Sequence, residues 1–212
     1  MIQQLLMSFK THMQLPLLII LSMSVFTCCA ALQQRPAVAV PPARLLCPDA
    51  PQVVDGNLET VGTLATDGYV EKRVLVDSRR DKILVNTRQI VGTQRAGALI
   101  ALKEATYITH VEIYADSAIT HPLIDVATDN APSSPGELIS VKDRQIGKPI
   151  GPRKMRRFRI GMEIRYLRIM ADAVEDTSRI ERSTVVRTRV IKIPLKGPTI
   201  REIKLYEIPT SH

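Results

Sequence analysis

The chain has 212 residues, of which 45% are hydrophobic and 24% are charged, and its formal net charge is +8. This length allows one domain with a targeting segment or two small domains, and the ordinary apolar fraction excludes a wholly disordered chain. The positive charge favours anionic partners such as nucleic acid, acidic glycans or anionic lipid head groups, without choosing among them.

Residues 1–32 have the pattern of a secretory signal. Lys10 precedes an apolar run over residues 15–26, and small residues follow at 27–31. The apolar block is shorter than the roughly 20 residues of a membrane span, although an extension through Leu32 brings it to a marginal length and leaves an uncleaved signal anchor as an alternative. The pattern predicts export.

Two adjacent cysteines mark a possible lipidation site. Cys28 and Cys29 lie where a bacterial lipoprotein carries its lipidated cysteine, although Thr27 stands where Gly, Ala or Ser is usual. Cys47 is the only other cysteine, and no CxxC pair is present, so neither a disulfide scaffold nor a structural zinc site is expected. We therefore expect a lipoprotein or membrane-anchored protein of the cell envelope, or alternatively a secreted one.

Residues 33–52 are rich in Pro and Ala and show no amphipathic period. Proline at this density predicts an extended, semi-rigid spacer that would hold a domain away from a membrane. The folded domain is then expected to begin near Val53 and to extend to residue 209.

From residue 53 onward the pattern indicates strands. In the segment 109–116, for example, Val111, Ile113 and Ala115 would share one face of a strand. The predicted strands cover residues 72–78, 81–87, 97–104, 109–116, 122–129, 156–162, 164–171, 184–193 and 200–208. Many short strands separated by turn signals predict an all-β, antiparallel sandwich or jelly roll.

Four segments carry a resemblance to a known family. They are Asp55-Gly-Asn57 with Thr60, residues 108–114 (ITHVEIY), residues 165–169 (RYLRI) and residues 200–207 (IREIKLYE). In this order they resemble the discoidin family, the coagulation factor 5/8 type C domain with the galactose-binding-like fold. The resemblance implies an eight-stranded jelly-roll sandwich whose binding surface is formed by loops at one end.

The same resemblance implies a structural calcium ion. Carried over to this chain, its ligands would be Asp55, Asn57, Thr60 and Glu202, which would join the first loop of the domain to its last strand. Calcium takes six to eight oxygen ligands, and an Asp-Gly-Asn turn can supply both carbonyl and carboxylate oxygens. The alternative is that Asp-Gly-Asn forms a tight turn and nothing more.

Three loop residues are candidate glycan contacts. Tyr69 could stack on a sugar ring, Arg95 could donate to hydroxyls or a carboxylate, and His121 could donate a further hydrogen bond. Each could equally be an ordinary loop residue.

A run of cations at residues 151–160 raises the question of nucleic-acid binding. In a half-buried strand, Phe158 and Ile160 would face the core and the intervening arginines would face water. Arginines on several such strands could align into one basic face suited to an acidic glycan or a lipid head group. The candidate members of that face are Arg157, Arg159, Arg168, Arg187 and Arg189. Nucleic acid is not favoured by this interpretation.

The function that the sequence favours is a non-catalytic binding module for carbohydrate or another cell-surface ligand. No GxSxG, P-loop, dinucleotide-binding or HExxH motif is present. A structural adaptor that binds envelope proteins and a basic binder of an anionic polymer remain as alternatives. A secreted hydrolase is a further alternative.

Overall fold

Strands make up most of the structure, a computed structural model that describes residues 36–77, 82–128, 137–185 and 188–209. The other elements are two short 3₁₀ helices, Pro42–Arg44 and Pro51–Val54. Within these described ranges no helix has the length and apolarity to cross a membrane. The all-β class predicted from the sequence is confirmed.

Thirteen strands are formed by the described residues. In chain order they are β1 (Val38–Ala39), β2 (Leu45–Leu46), β3 (Gly62–Thr63), β4 (Tyr69–Asp77), β5 (Lys82–Val91), β6 (Arg95–Ala115), β7 (Leu123–Ala127), β8 (Ile139–Ser140), β9 (Met155–Asp172), β10 (Val174–Glu175), β11 (Glu181–Val185), β12 (Thr188–Lys196) and β13 (Thr199–Glu207). All pairings between them are antiparallel, and they form one eight-stranded and one five-stranded sheet.

Two unusually long strands, β6 and β9, pair along most of their length. A straight strand of 21 residues would be about 70 Å long, well beyond the roughly 40 Å width of a domain of this size. The ribbon must therefore bend, and the register shifts between Ala101 and Thr106 show where it does so. The buried face changes from the even residues 96–102 to the odd residues 111–115 across this bend.

The bend turns the eight-stranded sheet into a two-layered sandwich. The first layer contains β2, β7, β8, residues 95–102 of β6 and residues 166–172 of β9, and the second contains β1, β3, β13 and the remaining parts of β6 and β9. Side chains of both layers belong to one buried cluster, in which Ile100 and Ile169 of the first layer join Val111 and Phe158 of the second. The predicted β-sandwich is therefore the observed architecture.

Both ends of β6 return to the same end of the sandwich. Thr63 pairs with Thr199 in the second layer, and Ala65 exchanges two backbone hydrogen bonds with Gly97 in the first. Only one residue separates these contacts along the chain, so the loops that follow from either end of β6 lie close together.

The five-stranded sheet, which we call the arm, consists of β4, β5, β10, β11 and β12. Its strands come from two chain segments, 69–91 and 174–196, and β4 pairs with β12 to join them. Thr93 Oγ1 donates to Asp67 Oδ1 at 2.8 Å at the base of the arm. A Cβ atom on Gly68 would lie 2.0 Å from the Thr93 carbonyl oxygen, so only glycine permits this close approach.

Residues 37–52 of the proline-rich segment are part of the domain rather than a spacer, which corrects the expected domain start at Val53. The Val40 amide donates to the Leu205 carbonyl at 2.8 Å, and Leu45 pairs with Leu102. Val40, Leu45 and Cys47 are buried in the core. Prolines between these residues obscure the apolar pattern, because proline is tolerated in turns and at sheet edges.

Strand boundaries also differ from those predicted. The segments 97–104 and 109–116 are one strand, as are 156–162 and 164–171, because strands that bend through both layers interrupt their own alternation. The expected strand 184–193 is divided between β11 and β12. The predicted signal, with Cys28 and Cys29, lies outside the described residues.

Candidate functional site

The loop after the second 3₁₀ helix is shaped by its own side chains. Asp55 Oδ1 accepts a hydrogen bond from the Asn57 amide at 2.8 Å, and Asn57 Oδ1 accepts one from the Glu59 amide at 3.0 Å. Gly56, between them, has a φ of 81°, a conformation that glycine adopts without strain. The tight turn expected from Asp-Gly-Asn is present.

Oxygen atoms from this loop converge on Thr60. Its Oγ1 lies 2.8 Å from Asp55 Oδ2, 2.8 Å from the Asn57 carbonyl oxygen and 3.5 Å from the Gln52 carbonyl oxygen. A hydroxyl group has one proton and can donate to only one of these three acceptors. The Asn57 carbonyl oxygen also accepts a hydrogen bond from the Thr60 amide at 3.3 Å, but this group of oxygens still exceeds the donors described beside it, and a hard cation would satisfy such an arrangement.

Glu202 reaches the same loop from β13. Its Oε2 accepts a hydrogen bond from the Gly56 amide at 3.0 Å, and the residue is 2% exposed. Burial, followed by the nearby carboxylate of Asp55, raises the pKa of Glu202 to about 7. Two carboxyl groups therefore lie close enough to repel each other when both are ionised.

The donors present fit calcium. They are all oxygens, and two come from acidic side chains, whereas groups of three or more His, Cys, Asp or Glu able to hold a metal are absent from the described ranges. An oxygen-only set that includes backbone carbonyls is typical of Ca²⁺ sites rather than of transition-metal sites. The structure brings Asp55, Asn57, Thr60 and Glu202 together, and calcium binding itself stays a prediction.

A second feature, which we call the Arg95 cavity, lies on the outer face of the first layer. Its volume is about 690 Å³, and its apolar wall includes Gly97, Leu99 and Met170. Register places these residues on one face, because Gly97 pairs with Met170 and Leu99 pairs with Arg168. The polar groups at its edge are those of Asp49, Thr93, Gln94, Arg95 and Arg168.

Arg168 is held in place on this face. Its Nε and Nη2 atoms donate to Asp125 Oδ2 at 3.2 and 2.7 Å, and Ser140 Oγ donates to Asp125 Oδ1 at 2.7 Å. Asp125 is buried, so the guanidinium is fixed at the edge of the Arg95 cavity by a bond that solvent screens poorly.

Two of the three predicted glycan contacts share this end of the sandwich. Arg95 lines the cavity and pairs across the sheet with Asp172, whose Oδ2 lies 2.5 Å from His121 Nδ1. His121 has a φ of 44° and is exposed. Tyr69 lies apart, in β4 of the arm, with Lys192 Nζ 5.2 Å from the centre of its ring.

The expected common basic face is not formed by the described arginines. Arg157 and Arg159 lie on the outer face of the second layer, Arg168 lies on the outer face of the first, and Arg189 is in the arm. Arg187 lies outside the described residues. The expectation was wrong because residues 156–162 and 164–171, although consecutive, belong to opposite layers of the sandwich.

Sequence reasoning missed a polar cluster on the outer face of the second layer. Buried Glu112 accepts hydrogen bonds from Arg157 at 2.7 and 3.0 Å and from the hydroxyls of Tyr114 and Tyr206 at 2.9 Å. His110 stacks on Tyr206 with ring centres 4.3 Å apart. Burial alone would raise the pKa of Glu112, but these hydrogen bonds outweigh it and lower the pKa. The alternation of residues 109–116 does show that Glu112 faces away from the core; it does not show that neighbouring strands cover it.

Comparison with known proteins finds similar solved structures only. No family model and no curated protein matches the chain. The family 32 carbohydrate-binding module of Clostridium perfringens NanJ, solved with galactose, is 12% identical, with a TM-score of 0.45 over 81% of this chain and 100% of that one. A module of a family 31 glycoside hydrolase from Clostridium perfringens is 13% identical, with a TM-score of 0.44 over 80% and 94%. Chitosan-binding module 1 of a chitosanase/glucanase from Paenibacillus sp. IK-5 is 13% identical, with a TM-score of 0.43 over 82% and 95%.

Proposed function

We propose that this protein is a non-catalytic module that binds carbohydrate in the Arg95 cavity. The observation that carries the proposal is the composition of that cavity, in which an apolar wall of Gly97, Leu99 and Met170 meets hydrogen-bonding groups at the edge. A sugar ring presents a CH-rich face and a rim of hydroxyl groups, and sites for small polar ligands have this combination of surfaces.

The roles of the polar residues follow from their chemistry. Arg95 and Arg168 supply planar guanidinium donors for hydroxyl or carboxylate oxygens, and Asp49 supplies an acceptor for hydroxyl groups. Among the residues that the structure describes, Asp49 is also the one carboxylate that lines the cavity, whereas most glycoside hydrolases use two. This supports binding rather than hydrolysis.

The experiment is a glycan array followed by calorimetry with the oligosaccharides that bind. We expect Arg95→Ala to weaken binding by about tenfold, since one charge-assisted hydrogen bond contributes roughly 1.5 kcal/mol. Arg165→Ala is the matched control, because Arg165 is equally exposed but lies at the bend of β9, away from the cavity. Equal affinities for the two variants, or recovery of a protein partner with no glycan bound, would argue against the proposal and favour an adaptor.

We also propose that the loop of Asp55, Asn57 and Thr60, together with Glu202, binds a structural calcium ion. Calcium would place positive charge between the two carboxyl groups and would hold the first loop of the domain to its last strand. Saturating calcium should stabilise the folded state by about 2.7 kcal/mol at a hundredfold excess over Kd, which thermal unfolding with and without a chelator measures. Glu202→Gln should abolish this gain, while Glu59→Gln, in the same loop, should retain it.

Finally, we propose that the protein is exported and attached to the cell envelope through residues 1–32. Fractionation of cells expressing the full chain, with metabolic labelling by a fatty acid, tests this. Label lost in Cys28→Ala or Cys29→Ala would identify the lipidated residue, and unlabelled protein in the membrane fraction would indicate a retained anchor.

A further inference from the structure

The net positive charge of the chain is concentrated in the arm. Segments 69–91 and 174–196 together contain twelve Lys and Arg and six Asp and Glu residues, a net charge of +6 out of +8 for the whole chain. The remaining +2 comes from Lys10 and Arg35 in the first 35 residues. The rest of the protein is therefore neutral overall, because its Lys and Arg residues together are matched by as many Asp and Glu residues.

Within the arm the charge is unequal between the two faces of the sheet. Residues paired directly across strands point to the same side, so the register assigns each side chain to a face. The basic face of the arm contains four cations and one carboxylate, namely Lys72, Arg88, Arg182, Arg189 and Glu175. The opposite face contains three cations and two carboxylates, namely Arg73, Lys192, Lys196, Glu71 and Glu181.

The cations of the basic face are closely spaced and incompletely neutralised. Lys72 and Arg88 stand directly opposite each other, and both contact Glu175, at 3.7 and 2.6 Å. Arg182 and Arg189 occupy diagonal positions on neighbouring strands and form no ion pair with any residue that the structure describes. Like charges on neighbouring strands repel each other and destabilise a sheet. A bound anion would reduce this repulsion between the cations, which the single carboxylate described on this face does not fully offset.

The form of the basic face favours a particular polyanion. Arg182, Lys72 and Arg88 form one row across the strands, about 14 Å long at three strand spacings. Its described residues include no aromatic side chain, since Tyr69 is on the opposite face. Single-stranded nucleic acid is usually held by bases stacked on aromatic rings, whereas an acidic polysaccharide needs only an extended row of cations.

We propose that the basic face of the arm binds a linear acidic polysaccharide, carboxylated or sulfated, at a site separate from the Arg95 cavity. Lys72, Arg88, Arg182 and Arg189 contact the acidic groups of successive sugars. Arg182 and Arg189 make the larger contribution because no carboxylate of the protein competes for them.

The test compares two double variants of the full chain. Arg182→Ala with Arg189→Ala removes two cations from the basic face, and Lys192→Ala with Lys196→Ala removes two from the opposite face. Binding of labelled polygalacturonate and dextran sulfate is measured by fluorescence anisotropy over a range of salt concentrations, with neutral dextran, oligo(dT) and phosphatidylserine vesicles as competing probes. Arg182, Arg189 and Lys196 are exposed and Lys192 is half-buried, and circular dichroism checks that both variants fold.

We expect the first variant to bind the acidic polysaccharides at least about tenfold more weakly. The slope of its log binding constant against log salt concentration should become shallower by roughly one to two. Arg182→Lys with Arg189→Lys should restore most of the binding, and the second variant should stay within about threefold of wild type because its changes leave the basic face intact. Arg95→Ala should leave this binding unchanged, which separates the inference from the proposed function. Equal losses in both double variants, tighter binding of oligo(dT), or binding to vesicles alone would each overturn the proposal.

Discussion

The sandwich and the arm are built from the same kind of antiparallel strand but use their charged residues differently. In the sandwich, buried Glu112 and Asp125 each accept hydrogen bonds from an arginine on a neighbouring strand, so these arginines are neutralised within the fold. In the arm, every residue of β11 is exposed, and Val70 and Ile193 are the buried apolar side chains among its described residues. The arm therefore gains little stability from packing. Although buried Glu71 holds Arg73, the arginines Arg182 and Arg189 remain open to a partner.

This difference predicts that most of the free energy of unfolding comes from the sandwich, to which residues 37–52 of the proline-rich segment contribute. The largest expected effect comes from a chain that starts at Val53. It loses buried Val40, Leu45 and Cys47, each apolar side chain contributing about 1.5–3 kcal/mol, so we expect it to be largely unfolded by circular dichroism. A cooperative unfolding transition at the same temperature as that of a chain starting at residue 36 would show that the sandwich begins at Val53 after all.

One matched pair of core and arm substitutions sharpens the comparison. Ile169→Ala, in the fully buried face of β9, should reduce the free energy of unfolding by roughly 3 kcal/mol because it leaves a cavity. Ile191→Ala, in partly exposed β12, should reduce it by less than about 1 kcal/mol. Denaturant unfolding followed by far-ultraviolet circular dichroism measures both, and similar losses would show that the arm is as tightly packed as the sandwich.

Arginine substitutions test the different use of charge. Arg157→Ala leaves the buried carboxylate of Glu112 without its cation, and we expect a loss of about 1–3 kcal/mol. Arg182→Ala, in the arm, should change stability by no more than about 0.5 kcal/mol. The double variant Arg157→Ala with Glu112→Gln should recover part of the first loss, and a failure to recover any would mean that Arg157 acts through packing alone.

The smallest effect concerns pH and the sandwich alone. Burial, and then the nearby Arg157, lower the pKa of His110, although Glu112 opposes this. The unfolded chain therefore takes up a proton first as pH falls below about 6.5, and the folded state loses stability until pH reaches its own lower pKa. The raised pKa of Glu202 acts in the opposite direction over the same range, so the measurement is the difference in unfolding free energy between His110→Phe and wild type. His110→Phe keeps an aromatic ring against Tyr206 and should gain on wild type between pH 7 and pH 5; a difference that does not change with pH would assign the loss to another group.

The sequence predicts well those features that depend on local pattern. Alternation of apolar and polar residues predicts the strands. The resemblance to a known family predicts that Asp55-Gly-Asn57, Thr60 and Glu202 meet, and the structure places them in contact. The bend of β6 and β9 could not be predicted in this way, because alternation gives the face of a strand but not the layer to which it belongs. For the same reason Arg157 and Arg168, assigned to one face, lie on opposite sides of the molecule.

The site residues show a similar limit. The chemistry of Arg95 and His121 makes them candidates, but Asp172 is distant from both in sequence. It becomes a neighbour of Arg95 through the pairing of β6 with β9, and of His121 through the pairing of β7 with β9. The composition of the proline-rich segment indicates only that it forms no regular helix or central strand. It cannot show that Val40 and Leu45 are buried, because the strands that cover them lie far away in the sequence.

The passage of β6 and β9 through both layers has a mechanical consequence. Layers that are connected only by surface loops can separate progressively, with one row of packed side chains losing contact after another. Here the layers share two continuous backbones, so separating them requires straightening a ribbon that is hydrogen-bonded along most of its length. If the arm binds a polymer and residues 1–32 are held at a membrane, as proposed, tension between the two would be transmitted through this paired ribbon.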